Sequence, residues 1–164
     1  MLEARLPQRI ASRRTRGPAP ARIEWNAVVA AGLLAGTAML ALLLVLSTAV
    51  YDESPWKLVR MMAATVRGPG ALSPESQFDP ALAAIGLSIH YGLALLYAAA
   101  LAGLLADFRR DYVPYLGIAF GVALYFANVY GFTRLFPWFA ELRTLDTLLA
   151  HAFFGLLLAR FVIR

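Results

Sequence analysis

His90, Asn128 and His151 are the residues of this chain best equipped for chemistry, and each stands inside a long apolar run. Two imidazoles on two helices can supply the two axial nitrogens that a b-type haem iron needs. The same pair with Asn128 can pass protons or ions, because ionisable groups within a membrane span often mark such a route. A third reading needs no ligand: the three side chains hydrogen-bond between helices and lock their register, each bond contributing about 0.6 kcal/mol. No further His, Met or Cys cluster accompanies them, and a metal such as zinc takes a larger protein ligand set. Interhelical hydrogen bonding is therefore the expectation, with no cofactor and no metal; haem b and a proton or ion conduit are the alternatives.

Other chemistries lack their residues. Cysteine is absent, which removes disulfides, thiolate nucleophiles, thiolate metal sites and covalent c-type haem attachment. Ser47, Thr48 and Ser88 have no adjacent base with an orienting acid, so nucleophilic catalysis has no constellation. No phosphate-cradling glycine loop or dinucleotide fingerprint occurs. The chain is expected to be non-enzymatic, with no catalytic residues.

The elements that must position the three polar residues are apolar runs over residues 25–50, 80–106, 113–136 and 145–163. A span needs roughly 20 mostly apolar residues, since a helix rises about 1.5 Å per residue against a hydrocarbon core of about 30 Å. Hydrophobic residues make up 60% of the 164 and charged residues 15%, and the apolar ones are gathered into blocks. Backbone polar groups in lipid must be satisfied within the segment, so runs without strand alternation become helices. The fold class is all-α: a polytopic membrane protein whose spans form two hairpins, residues 23–164 making one domain. His90 falls about ten residues into the second span, His151 six or seven into the fourth and Asn128 about fifteen into the third, so all three share one layer. Tyr91, Tyr125 and Tyr130 are close to them in sequence, and Asp146 falls in the first turn of the fourth span, where the helix dipole favours a carboxylate.

The net charge of +5 is concentrated before the first span, at Arg5, Arg9, Arg13, Arg14, Arg16 and Arg22. That location points away from nucleic acid. It suits the positive-inside rule, which places both termini in the cytoplasm together with Arg109, Arg110, Arg160 and Arg164, and leaves Lys57, Arg60, Arg67, Arg134 and Arg143 outside among Asp52, Glu53, Glu75, Asp79, Glu141 and Asp146. The expected location is a bacterial inner membrane. Residues 1–22, rich in Arg, Ala and Pro, have no helical stripe and are expected to be disordered when alone; they serve as a topology signal or meet anionic headgroups. A cleaved secretory signal is the weaker reading, because the apolar run is too long for a signal core.

In the first outer loop, Ser54-Pro55-Trp56 predicts an N-cap followed by proline in the first turn and a short helix over about 55–66. This extracytoplasmic helix is expected to lie flat in the interface, with Trp56, Val59, Met61 and Met62 on the membrane and Lys57, Arg60 and Arg67 in water. Asp79-Pro80 repeats the cap-plus-proline pair at the second span. The halves of the chain look alike: Gly32-x-x-x-Gly36, Trp56, Arg60 and His90 in the first answer to Gly117-x-x-x-Gly121, Trp138, Arg143 and His151 in the second. Small residues four apart let helices approach closely. Trp56, Trp138, Arg60 and Arg143 read as interfacial anchors.

These motifs carry a resemblance. Pro55-Trp56 with Arg60-Met61, Phe78-Asp79, His90, Asn128-Val129-Tyr130-Gly131-Phe132, Phe136-Pro137-Trp138-Phe139, and His151 followed by Phe154-Gly155 resemble a family of small four-span bacterial inner-membrane proteins of unknown function. The likeness covers about residues 54–162. Members often carry a sodium:proline symporter label, which implies many more spans and a broken-helix ion site that this chain does not supply. The resemblance supports the architecture and assigns no activity. The expected partners are the lipid bilayer and either another membrane protein or a second copy, in keeping with an accessory or scaffold subunit.

Overall fold

The computed structural model describes residues 23–74, 77–106 and 108–162. The basic segment 1–22 with its expected topology and headgroup roles, together with Glu75, Asp107 and Arg164, lies outside the described residues. Within them the chain is helical and free of strands: α1 (Trp25–Ala49), α2 (Lys57–Arg67), α3 (Pro80–Leu105), α4 (Val113–Tyr125) and α5 (Leu145–Val162). Four helices are long and apolar enough to cross a membrane: α1, α3, α5, and α4 with its flanking turns over Arg110–Arg134. The protein is an all-α polytopic membrane protein.

Helix boundaries follow local chemistry. The Asp79 carboxylate accepts the Ala81 and Leu82 backbone N–H at 2.8 and 3.0 Å, and Pro80 occupies the adjoining position, where no donor is needed. Ser54 starts its segment differently from expectation. Its hydroxyl accepts the Trp56 N–H at 3.3 Å in a turn, and α2 begins one residue later, at Lys57. Thr144, which the sequence reading passed over, accepts the Thr147 N–H through its hydroxyl at the head of α5. Gly68 ends α2 at φ +83°, a conformation that side chains with a Cβ rarely adopt.

Packing places α1 beside α3 and α5, and α4 beside α5, whereas α3 and α4 scarcely meet. The four spans form a ring, in the order α3, α1, α5, α4, that stays open at one seam. Between apolar helices in lipid there is little hydrophobic drive, so close van der Waals approach decides affinity. Gly36 faces Ala94 and the His90 ring, and Gly32 faces Ala94 and Ala98. Gly117 faces Gly155 and Ala159, while Gly121 faces the His151 backbone. Both hairpins thus use one register: the histidine, the fourth residue after it and the eighth pack on the glycine pair of the preceding helix. The second hairpin is tighter. A Cβ on Gly117 would come within 2.6 Å of the Gly155 carbonyl oxygen, and one on Gly121 would overlap that of His151.

Two expectations about the elbows need correction. Helix α2 does not turn its apolar side to lipid: Leu58, Val59, Met61, Ala63 and Ala64 are buried in the protein. Its backbone at Val59 rests on α3 at Gly86, where any side chain would displace it. The third span is not one regular helix to residue 136 either. It leaves α-geometry after Tyr125 and runs through a wide π-helical turn, Phe126–Gly131, and a tight 3₁₀ turn, Phe132–Arg134.

Gly121→Ala should destabilise the protein by about 1–3 kcal/mol, the cost of overpacking. Gly103→Ala, with open space at its Cβ position, should stay within about 0.5 kcal/mol of the parent. Thermal unfolding of the purified variants in detergent measures the difference.

Candidate functional site

Where α3 and α4 part, a cavity of about 290 Å³ remains. That is roughly twice an engineered apolar cavity of ~150 Å³ known to take up benzene. His90, Asn128 and His151 all line it, as do Tyr97, Phe132 and Phe136. Leu58, Met62 and Thr65 of α2 contribute to the lining, so the short helix closes one end. Ile89 and Leu93 are half-buried and Phe132 is exposed, which leaves the cavity open at the side of the bundle, along the α3–α4 seam.

The polar groups form two sets. His90, 8% exposed, places Nε2 at 2.9 Å from the Gly36 carbonyl oxygen of α1. A carbonyl only accepts, so the ring proton is on Nε2 and the imidazole fastens α3 to α1. Tyr91 beside it meets the ring edge-on at 5.2 Å, and its hydroxyl lies 2.9 Å from that of Thr37, a second polar tie between α3 and α1. His151, 6% exposed, places Nδ1 at 2.8 Å from the Thr147 carbonyl oxygen one turn earlier. Its proton is therefore on Nδ1, and Nε2 offers a lone pair. Asn128 Nδ2 donates toward that lone pair at 3.5 Å, and the Tyr97 hydroxyl donates to Asn128 Oδ1 at 2.6 Å. Only this orientation of the amide satisfies both partners. Tyr125 packs edge-on against the His151 ring at 5.7 Å and against Tyr130 at 5.8 Å.

The arrangement joins Asn128 to His151 and leaves His90 on its own helix pair. The His90 Nε2 is committed to α1 and the His151 Nε2 is turned toward Asn128. The ring proton of His90 and that of His151 each meet a backbone carbonyl oxygen. No group of three or more His, Cys, Asp or Glu suited to a metal ion occurs among the described residues.

Sequence reading missed Tyr97, whose hydroxyl reaches across the seam to Asn128. It lies seven residues, two helical turns, beyond His90, and that spacing was the available signal. The anchors also behave differently from expectation. Arg60 does not reach water: it is 5% exposed, donates from Nε and Nη2 to the Gln77 carbonyl at 3.2 and 2.6 Å, and donates from Nη1 to that of Ala71 at 2.9 Å. A loop folded against the bundle must satisfy its carbonyls, and a planar guanidinium can reach two of them at once. The Trp138 indole N–H is likewise spent inside the protein, on the Met61 carbonyl of α2 at 3.0 Å. Trp56 packs against Phe78 at 4.5 Å with the rings tilted by 49°, and the exposed Arg143 guanidinium covers the Tyr130 ring at 4.6 Å. Lys57 joins the elbows by bridging Glu53 at 2.7 Å and Glu141 at 2.8 Å. Burial disfavours its charge, but hydrogen bonds to Glu141 and Glu53 outweigh that and raise its pKa above the ordinary lysine value.

Comparison of the chain with protein-family models, with characterised proteins and with solved structures returns no match.

Arg60→Met should cost about 2–3 kcal/mol, because it strands two carbonyls that now meet a charged donor. The segment 68–79 should then be cut faster by a non-specific protease in reconstituted protein, with Arg60→Lys intermediate. Peptide mapping of the cleavage sites measures this.

Proposed function

We propose that this chain is a non-enzymatic integral membrane protein that serves as an accessory or scaffold subunit, packing against another membrane complex or against a second copy of itself. The observation that carries the reading is the lipid-facing side of α3. Ser88, Gly92 and Gly103 are exposed there, and among the described residues nothing comes within 4 Å of a Cβ position at either glycine. The same chain uses small residues to bring α1 onto α3 and α4 onto α5. An uncovered face of that composition favours close approach by a further helix. The polar residues of the spans support the reading, because their hydrogen bonds are directed at partners within the bundle.

In this reading the host membrane is a bacterial inner membrane, and both termini face the cytoplasm. Four crossings return the chain to its starting side, and the arginines of residues 1–22 keep that side inside.

Purification in mild detergent from native membranes should recover either a dimer or a defined membrane partner. Gly92→Leu should reduce that recovery about tenfold or more, while the unfolding temperature stays within a few degrees of the parent. A monomeric, partner-free protein, or an association indifferent to Gly92→Leu, would count against this face. A haem Soret band in the purified protein would overturn the non-redox reading itself.

A further inference from the structure

We propose that the seam cavity is a binding site for a neutral hydroxylated ring carried on an apolar tail, the chemistry of a hydroquinone lipid. The argument is independent of the scaffold reading and begins with what the wall offers. His151 Nε2 is an acceptor, because its partner nitrogen has already given its proton to Thr147. Asn128 Nδ2 is a donor held at 3.5 Å from that acceptor, the outer limit of a hydrogen bond. A weakly joined donor and acceptor side by side suit one kind of oxygen. A hydroxyl can donate to His151 Nε2 and accept from Asn128 Nδ2 at once, forming a triangle with the existing 3.5 Å edge. An ether or a quinone carbonyl oxygen can only accept, so it satisfies Asn128 and leaves the imidazole lone pair facing apolar surroundings.

The rest of the cavity selects the body of the molecule. Phe132, Phe136, Phe139, Phe154 and Tyr97 line it, and such rings favour another aromatic ring in edge-on or offset contact. Among the described residues no charged side chain lines it, which disfavours an ionised headgroup. Its volume of about 290 Å³ suits a single substituted ring and not a whole lipid. The tail therefore has to leave through the open side between α3 and α4, where the bilayer stands. Asn128 owes its position to the π-helical turn, a departure from regular helix that is frequent at functional sites.

The test uses the full chain in lipid nanodiscs and three probes sharing one decyl tail: decylhydroquinone, its dimethyl ether and the oxidised decylquinone. Decylhydroquinone should bind and raise the unfolding temperature, with affinity about tenfold above the ether and the quinone, the value of one hydrogen bond. Asn128→Leu should weaken binding of all three probes and keep the preference, whereas His151→Phe, which removes the acceptor, should abolish it. Leu93→Trp, which fills the cavity from its half-buried rim, should abolish binding of all three probes. Equal affinity for the hydroquinone and its ether would overturn recognition of the hydroxyl. Failure of every probe to bind the parent protein, or unchanged binding to Leu93→Trp, would overturn the site. Should Leu93→Trp fail to fold, Ile89→Trp supplies the same obstruction from the preceding turn.

Discussion

Everything in this molecule depends on how closely two helix backbones can approach. In water a small core gains from apolar burial, but between helices already surrounded by hydrocarbon that gain is slight, and contact distance takes its place. Gly117, Gly121 and Gly155 bring α4 and α5 together until carbonyl oxygens of one helix face the backbone of the other. Gly32 and Gly36 do the same for α1 and α3 with more latitude, since Leu95 and Ala98 side chains intervene. The ring of helices inherits this unevenness. Where small residues face small residues the helices close, and where Tyr97, Phe132 and Leu93 stand they cannot.

The polar side chains of the spans are subordinate to that packing and stabilise it. His90 reaches Gly36 only because glycine and alanine let α3 come near enough, and the His151 backbone lies against Gly121 for the same reason. The two histidines match in sequence position and in register, yet their rings do different things. One crosses to a neighbouring helix; the other turns back on its own helix and leaves a lone pair in the cavity. The difference arises from the seam. The first hairpin has α1 accepting from its histidine, whereas the second has the Tyr125 ring against its histidine and Asn128 of the widened turn at the outer limit of a hydrogen bond.

Much of the architecture was legible in the residues because lipid imposes strong rules. Apolar blocks of sufficient length become helices, Asp79-Pro80 marks a helix start, and glycine pairs mark close approach; the structure carries each of these. The elbows were less legible. An arginine beside tryptophan reads as a surface anchor by composition, and nothing local reveals that the carbonyls of Ala71 and Gln77 come to lie on Arg60. The same holds for Gly86, whose role follows from where α2 lands, a tertiary fact. Asn128, His90 and His151 could be placed in one layer by counting residues. Which of them would touch could not, because counting assumes an α-helix throughout α4, and the chain widens after Tyr125.

That widened turn has a consequence for how the chain tolerates change in length. A π-helical turn holds one residue more than an α-helix needs for the same rise, so deleting a single residue between Phe126 and Gly131 would let the segment relax into regular helix without shortening the span appreciably. The membrane would still be crossed and the glycine contacts with α5, lying earlier in α4, would be undisturbed. Asn128 and Val129 would rotate away from the cavity, and Tyr97 would face a different side chain. The surplus residue is thus a hinge between two properties that sequence length usually binds together: how far the polypeptide reaches, and which of its side chains look inward.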